Sequence, residues 1–303
     1  MEFIIVGAGQ FGSALTHVYL KQGIRVFCIG KEDPWPEKNQ LQKKHFVILC
    51  VPTQKIPNAI EQRRASMAAS SGIISTAKGL LKNQQKSATE FLTSQFSRKL
   101  PLLTLSGPSF AKELMAGKPT ALVLAGKNRR IVDSLSKVLS TPQLRIYKSF
   151  DPYGVEICGA LKNVYAIAAG ISDGLKLGDN ARSALTTRAL AEMTRIGTAL
   201  GGKTFTFFGL AGVGDLFLTC SSPQSRNYQL GMGLAQKQEL SVLLEKLGTV
   251  EGAWTANVAQ RLCRRRGLRA PLINLVADIL NQKINVSEAL RDLMSRKVRH
   301  EFD

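Results

Sequence analysis

One lysine of this chain lies in the middle of a small and apolar stretch, CGALKNVYAIAAGI at residues 158–171. The stretch has the composition of a buried helix, and Lys162 would bring an ammonium group into it. Removing a charge from water costs several kcal/mol unless the charge is paired or used. Two interpretations remain open at this point. The side chain extends its charged end to a nearby surface, or the lysine is kept in a core to do chemistry.

A second feature with chemical meaning is a short polar run after a Cys-Ser-Ser-Pro turn. The run consists of Ser225, Arg226 and Asn227. A planar guanidinium suits a phosphate because it can donate two parallel hydrogen bonds, and a hydroxyl and an amide beside it add further donors. The run therefore indicates a site for an anionic group.

The N-terminus carries a glycine motif in a specific context. EFIIV, a strand-like run, leads into GAGQFG, then into a helical stretch that ends at Gly23, and then into a second strand, IRVFCI. In such a unit Gly7 permits the tight turn, Gly9 lets the backbone approach a pyrophosphate, and Gly12 lets helix and strand pack closely. The start of the helix then holds the phosphate. The motif predicts a dinucleotide-binding unit.

The remaining strand and helix patterns place these features in a fold. Further strand-like runs occur up to residue 150, at 45–52, 71–79, 102–110, 119–126 and 144–150. They alternate with helical segments, which predicts an α/β fold of the Rossmann type with a doubly wound sheet. After Asp151-Pro152 the pattern becomes helical. We therefore predict a dinucleotide-binding domain at 1–150 and an all-helical substrate and catalytic domain at 151–303.

The segment between the second and third strands is short for this fold. Residues 31–46, KEDPWPEKNQLQKKHF, contain two prolines and no strand pattern. A full dinucleotide fold would place a third strand here, at the edge of the sheet. The connection must return over about 30 Å, and these residues can reach about 50 Å when extended. We therefore predict a shortened sheet that lacks this edge strand.

Composition narrows the class of protein. The chain has 303 residues, an apolar fraction of 44% and a net charge of +19. The basic cluster RLCRRRGLR has no interleaved aromatic residues for base stacking, so we do not expect a nucleic-acid partner. The apolar run at 164–171 is too short to span a bilayer, the N-terminus lacks the features of a signal peptide, and the five scattered cysteines form no metal-binding pattern. These observations predict a cytoplasmic protein without a metal site or membrane insertion.

The sequence motifs of the chain resemble those of the NAD(P)-dependent glycerol-3-phosphate dehydrogenases, in their bacterial form. The resemblance covers nearly the whole length except the region near 30–45. It rests on six blocks in the family's order: GAGQFGSAL, STAKGL, SGPSFAKEL, ICGALKNVYAIAAGISDGLKLGDNARSAL, FFGLAGVGDLFLTCSSPQSRNYQLG and VEGAWTA. It implies reversible hydride transfer between dihydroxyacetone phosphate and sn-glycerol 3-phosphate, which supplies the backbone of glycerophospholipids.

The resemblance also assigns roles to individual residues. The family's proton-transfer lysine falls on Lys162, where desolvation would hold the pKa in a range that allows proton donation and acceptance. Lys78, otherwise an exposed lysine at the end of a strand, falls on a lysine that contacts both cofactor and substrate. Asp215 would orient Lys162 and offset the cost of its burial. Thr219 would supply a hydroxyl partner on the same side of the site.

Further contacts follow from the same resemblance. The substrate would contact Gly107, Ser109, Lys162, Asp215, Thr219 and the run Ser225, Arg226, Asn227, which would hold its phosphate. The cofactor would contact Gly7, Gly9, Gln10, Phe11, Gly12, Lys31, Lys78, Ala111, Arg226 and Glu251. Gln10 departs from the family, where serine is common. Lys31, at the end of the second strand, favours NADP over NAD because a basic residue there can accept the 2′-phosphate, although Glu32 and Asp33 follow directly. The family is commonly dimeric, so we expect a homodimer.

Two rival interpretations remain. Other dehydrogenases with a helical C-terminal half, such as ketopantoate reductases, also use a lysine on a helix but lack the SRN run. A non-catalytic paralogue that binds nucleotide or nucleic acid would fit the missing edge strand. The combination of Lys78, Lys162, Asp215 and Arg226 argues against that second rival.

Overall fold

A computed structural model describes residues 1–295 of the chain. Within these residues, parallel strands dominate a single sheet with the order β2-β1-β3-β4-β5-β6-β7. Only β6 runs antiparallel to its neighbour β5, and β7 pairs parallel to β6. The strands are β1 (Glu2–Val6), β2 (Val26–Ile29), β3 (His45–Leu49), β4 (Ile73–Ser75), β5 (Leu102–Ser106), β6 (Thr120–Gly126) and β7 (Leu144–Ser149).

The described helices fall into two groups along the chain. Those interleaved with the strands are α1 (Gln10–Lys21), α2 (Ile56–Ala68), α3 (Ala88–Gln95), α4 (Ala111–Met115) and α5 (Arg129–Leu139). Those that follow the last strand are α6 (Pro152–Gly174), α7 (Asp179–Ala199), α8 (Thr204–Phe207), α9 (Asp215–Cys220), α10 (Arg226–Ala235), α11 (Leu240–Leu247), α12 (Glu251–Arg265), α13 (Pro271–Leu280) and α14 (Val286–Met294).

The sheet confirms the predicted Rossmann-type arrangement and its missing edge. β1 and β3 are buried at every position because helices cover both faces of the sheet, which explains the apolar runs at 3–6 and 46–49. β2 forms the edge next to β1, where a full dinucleotide fold would add a further strand. The segment between β2 and β3 contains a single 3₁₀ turn, Lys38–Gln40, among the described elements.

Helix α6 forms the centre of the helical region. Asp151 caps its first turn by accepting a hydrogen bond from the Gly154 N–H (2.9 Å), and 20 of its 23 residues are buried. By length and composition this helix could cross a bilayer, but its apolar window is completely buried within the protein. Its apolar residues therefore pack into a core and do not require lipid. The helix is much longer than the apolar stretch at 164–171 that the sequence suggested.

Glycines bring α10 against α6 at backbone distance. A Cβ atom on Gly170 would lie 2.1 Å from the Tyr228 carbonyl oxygen, and one on Gly231 would lie 2.1 Å from the Ile167 carbonyl oxygen. Both contacts are closer than real Cβ atoms tolerate, so only glycine permits this packing. The close crossing fixes the start of α10, which carries the SRN run, beside the middle of α6, which carries Lys162.

The sequence patterns predicted the strands and helices correctly, but some of their boundaries less accurately. The run at 71–79 forms a strand only over Ile73–Ser75, so Lys78 lies in the loop that follows β4. Described residues after β7 contain helices and no strand, as predicted. The division into domains at 150/151 stays a prediction, and its last residues, 296–303, lie outside the described part of the chain.

Candidate active site

A buried carboxylate joins the two predicted lysines. Asp215 is 1% exposed and begins α9, directly after a π-helical turn at Leu210–Gly214. Its Oδ1 accepts a hydrogen bond from Lys162 Nζ at 2.9 Å, and its Oδ2 accepts one from Lys78 Nζ at 2.7 Å. The two lysines and the aspartate are far apart in sequence, and the fold brings them into one cluster with a net positive charge.

Lys162 is held in an apolar helix by defined partners. The residue is 6% exposed, and its Nζ also donates to Thr219 Oγ1 at 2.7 Å, while the Thr219 hydroxyl donates to the Asp215 carbonyl oxygen. Burial lowers the pKa of Lys162 to about 8, Asp215 opposes the shift, and the charge of Lys78 adds to it. Burial alone would raise the pKa of Asp215, but the ammonium groups of Lys162 and Lys78 bring it below its ordinary value.

Lys78 connects this cluster to the strand β5. Its Nζ donates a second hydrogen bond to the Gly107 carbonyl oxygen, 2.8 Å away, and Ser109 Oγ donates to the same oxygen at 3.3 Å. Gly107 has φ +134°, and a Cβ there would lie 3.2 Å from Leu122 Cα. Glycine is therefore required at this turn by both its conformation and its neighbours.

A chain of amide hydrogen bonds supports the cluster from behind. Asn163 Nδ2 donates to the Lys78 carbonyl oxygen at 2.7 Å, and Asn163 Oδ1 accepts from Asn227 Nδ2 at 2.9 Å. Asn227 Oδ1 in turn accepts from the Gly252 N–H at 2.9 Å. Lys162 and Asn163 are adjacent on α6, so one faces Asp215 while the other holds the backbone of Lys78.

The SRN run is divided between structural contacts and solvent. Ser225 caps α10, since its Oγ accepts a hydrogen bond from the Tyr228 N–H at 3.3 Å, and Asn227 is buried in the amide chain. Arg226 is exposed. Burial raises the pKa of the neighbouring Glu251 carboxyl above its ordinary value, and the charge of Arg226 partly opposes this rise. Arg226 is therefore the member of the run whose side chain is free to meet a ligand from solvent.

The glycine loop has the shape that a bound dinucleotide needs. Gly7 has φ +114°, and a Cβ there would lie 2.7 Å from the Cys50 carbonyl oxygen; a Cβ on Gly12 would lie 2.0 Å from the Gly7 carbonyl oxygen. A Cβ on Gly9, in contrast, would meet no atom within 4 Å. Gly9 therefore faces open space at the start of α1, where unpaired N–H groups can meet a pyrophosphate.

The other predicted cofactor residues lie on several different elements. Gln10 and Phe11 form the first turn of α1, Ala111 begins α4, and Lys31 is exposed and paired with Glu32 at 3.0 Å. Glu251 begins α12 and is partly buried; its Oε1 accepts a hydrogen bond from the Thr53 N–H at 2.7 Å. This bond connects the helical region to the loop after β3.

Topology brings these residues to one edge of the sheet. The glycine loop, Thr53, Lys78 and Gly107 follow β1, β3, β4 and β5, whose carboxyl ends lie side by side because the strands are parallel. Ligands of open α/β sheets bind at this edge. The arrangement places two ammonium groups, one of them with a lowered pKa, beside a cradle for a dinucleotide. It can transfer a proton and stabilise negative charge on an oxygen atom.

Comparison with known proteins agrees with this geometry. The models described as NAD-dependent glycerol-3-phosphate dehydrogenase N-terminus and C-terminus match residues 36–132 and 151–291. The chain belongs to this family.

Similar proteins of the family align over nearly the full length of the chain. Glycerol-3-phosphate dehydrogenase [NAD(P)+] of Acaryochloris marina is 39% identical, covering 98% of this chain and 96% of the relative. The Gloeobacter violaceus protein of the same name is 38% identical over 99% of both chains. The crystal structure of glycerol-3-phosphate dehydrogenase from Coxiella burnetii superposes with a TM-score of 0.89 at 32% identity, covering 97% of this chain and 99% of that chain. The resemblance inferred from the six motifs is confirmed.

Two residues at the site were not singled out from the sequence. Asn163 directly follows Lys162, and a second buried polar residue in an apolar helix was a signal for it. Thr53 follows a strand end, VPT, but no pattern indicated its bond to Glu251, which lies 198 residues further along the chain.

Proposed function

We propose that this protein is an NAD(P)-dependent glycerol-3-phosphate dehydrogenase that interconverts dihydroxyacetone phosphate and sn-glycerol 3-phosphate. The observation that carries the proposal is the Lys162–Asp215–Lys78 cluster at the carboxyl edge of the sheet, beside the glycine loop. The product would supply the backbone of glycerophospholipids. Family membership over the whole chain supports this reaction over that of the ketopantoate reductases.

Lys162 is the proton-transfer residue in this proposal. The bound reduced nicotinamide supplies the hydride, and the ketone oxygen of the substrate then needs a proton. A lysine whose pKa lies at about 8 can give that proton in one direction and take it back in the other. Asp215 and Thr219 fix the position of Nζ, so the ammonium group is oriented before the substrate arrives.

Lys78 and Arg226 supply the remaining charges. Lys78, close to Asp215 and Gly107, would stabilise the negative charge that grows on the substrate oxygen. Arg226, with Ser225 and Asn227 at the start of α10, would bind the substrate phosphate. Because Asn227 already bonds to Asn163 and Gly252, we assign it mainly to holding this wall in place.

The cofactor would bind along the glycine loop with its pyrophosphate at the start of α1. Gly7, Gly9 and Gly12 shape this cradle, and Lys31 supports a preference for NADP, because its exposed ammonium group follows β2. Glu251 would complete the wall opposite the loop. Ala111, Gln10 and Phe11 would contribute contacts at the starts of α4 and α1.

We also propose a homodimer located in the cytoplasm. Phe205 is 91% exposed and Phe208 is 56% exposed, which supports an interface between copies. The cysteines are all free, which supports a reducing compartment. Sedimentation of the wild type and of Phe205→Asp tests the dimer: the variant should sediment more slowly, and equal sedimentation would contradict this interface.

A direct assay tests the function. Purified protein is mixed with dihydroxyacetone phosphate and NADPH or NADH, and the absorbance of the reduced nicotinamide is followed. Unphosphorylated dihydroxyacetone should react far more slowly, because Arg226 then has no phosphate to bind.

Lys162→Ala should lower turnover by roughly a hundredfold or more, as expected for the loss of a general acid, while NADPH binding stays nearly unchanged. Oxidation of NADPH by the variant at the wild-type rate would remove the assignment of Lys162.

A further inference from the structure

The shortened segment between β2 and β3 is organised by one arginine. Arg63, on α2, donates hydrogen bonds from Nη2 to the carbonyl oxygens of Gly30 (2.8 Å), Lys31 (2.8 Å) and Asp33 (3.0 Å). The backbone of α2 departs from helical geometry at Arg63, with φ −131° and ψ 16°. The three carbonyls belong to the turn that directly follows β2.

This turn depends on the cation for its shape. Three carbonyl oxygens converge on one guanidinium nitrogen, so their negative ends would repel each other and require new partners if the cation were absent. Asp33 Oδ2 closes the same turn by accepting a hydrogen bond from the Gly30 N–H at 2.7 Å. Two groups therefore stabilise the turn: the guanidinium of Arg63, which comes from α2, and the carboxylate of Asp33, which belongs to the turn itself.

Further contacts hold the rest of the segment, beginning with Trp35, which lies two residues after Asp33 and therefore reports on the turn that Arg63 shapes. Trp35 and Leu41 pack against the core between the sheet and α2, and Arg25 Nη2 donates to the Gln40 carbonyl oxygen at 2.6 Å. The Gln42 N–H donates to the buried Glu2 carboxylate. The segment therefore lies along the protein as an ordered strap, and Arg63 determines the part of it nearest to the glycine loop.

The turn lies next to the cofactor cradle. The Gly7 N–H donates to the Ile29 carbonyl oxygen at 2.8 Å, and a Cβ on Gly30 would lie 3.9 Å from Ala8 Cβ. In dinucleotide-binding folds the residues after the second strand contact the adenosine ribose. In a full-length fold a third strand frames this position, and this chain has no such strand among its described residues.

We propose that Arg63 is a positioning residue for the dinucleotide: it fixes the 30–33 turn as the adenosine-ribose end of the site and replaces the support of the missing edge strand. The inference rests on the proposed function for the identity of the ligand. Because Arg63 acts by shaping the turn, it serves both NADPH and NADH, and Lys31 in the same turn makes the effect on NADPH the larger one.

The first measurement uses the tryptophan of the strap and needs no cofactor. The chain has two tryptophans, so a Trp254→Phe background leaves Trp35 as the reporter. Arg63→Ala should shift Trp35 emission to longer wavelength and increase its quenching by acrylamide. Arg64→Ala is the matched control, because Arg64 is the neighbouring residue and its Nη2 bonds to Gln95 instead, at 2.6 Å. Unchanged Trp35 emission in Arg63→Ala would overturn the proposal.

The second measurement is direct titration with NADPH and with NADH in the absence of substrate. Arg63→Ala should raise both dissociation constants by roughly tenfold or more, the effect of losing a charged hydrogen bond, and Arg64→Ala should raise neither. Arg63→Lys keeps the charge and offers three donors on one nitrogen, as the convergent carbonyls require, so it should recover part of the affinity. A loss confined to NADPH would show that Arg63 supports only the contact to the 2′-phosphate, and it would overturn the proposed support of the ribose end for both cofactors. If wild-type protein binds neither cofactor, the proposed function itself fails, whatever Trp35 reports.

Discussion

At the scale of single residues, the central feature is an ammonium group that costs free energy to bury and is paired on two sides. Lys162 contacts Asp215 and Thr219, and Asp215 is shared with Lys78. A carboxylate between two lysines leaves one positive charge uncompensated. That charge suits the anionic substrate and the developing oxyanion of the proposed reaction.

The pKa of Lys162 predicts opposite pH profiles for the two directions. Ketone reduction needs the protonated lysine, so its rate should fall as pH rises through about 8. Alcohol oxidation needs the neutral lysine, so its rate should fall as pH decreases through the same value. Initial rates in both directions between pH 7 and pH 10 check this expectation, in the range where the ketone phosphate is already ionised. Profiles that move in the same direction would contradict it.

Arg226 predicts a change in substrate affinity without a change in chemistry. Arg226→Ala should weaken binding of dihydroxyacetone phosphate by about 2 kcal/mol, the value of a charged hydrogen bond, or roughly thirtyfold in KM. Arg226→Lys should recover part of the loss because it keeps the charge. Steady-state kinetics at saturating cofactor measure the effect, and an unaltered KM in the alanine variant would place the phosphate elsewhere.

At the scale of elements, α6 and α10 position the site through their close crossing. Gly231→Ala would place a Cβ 2.1 Å from the Ile167 carbonyl oxygen and 2.8 Å from the Ile171 nitrogen. We expect the free energy of unfolding to fall by about 1–3 kcal/mol as the helices separate. Urea denaturation measures it.

Gly209→Ala is the control for this helix crossing. A Cβ on Gly209 would meet only the Thr206 carbonyl oxygen, at 3.5 Å. The free energy of unfolding of Gly209→Ala should therefore stay near that of the wild type. Equal stabilities of the two variants would show that the helices can separate at little cost.

The sequence predicted what is encoded locally. The strand, glycine loop and helix at the N-terminus follow one another within a short stretch, so EFIIV and GAGQFG were enough to place them. The pairing of Lys78 with Asp215 depends on 137 residues of intervening fold, and the resemblance, not the pattern, suggested both. The hydrogen bond from Arg63 to the Gly30 carbonyl oxygen could not be predicted from the sequence, because an arginine on a helix is ordinarily solvated. The antiparallel placement of β6 was equally invisible from strand patterns.

At the scale of the whole molecule, the sheet works with one strand fewer than the full fold. The loss is at the edge, beyond β2, so the pairing of β1 with β3 and the cradle between them are unaffected. The strap at residues 30–44 packs two side chains, Trp35 and Leu41, against the core between the sheet and α2. A shorter chain thus retains the carboxyl edge of the sheet, where the proposed site lies.

The net charge of +19 predicts a salt dependence of substrate capture. A positive field raises the local concentration of an anionic substrate and is screened at higher ionic strength. KM for dihydroxyacetone phosphate should therefore rise with added NaCl, with kcat nearly constant. Unphosphorylated dihydroxyacetone provides the control, since its KM should not respond. A salt-independent KM for the phosphorylated ketone would mean that only local contacts select it.

The burial of α6 has a consequence for engineering this protein. The helix that carries Lys162 has 20 of 23 residues inside the protein, so nearly every substitution along it disturbs packing before it can retune chemistry. Laboratory evolution toward new ketones would progress fastest at Arg226, an exposed residue at the beginning of α10 that can be exchanged without opening a cavity.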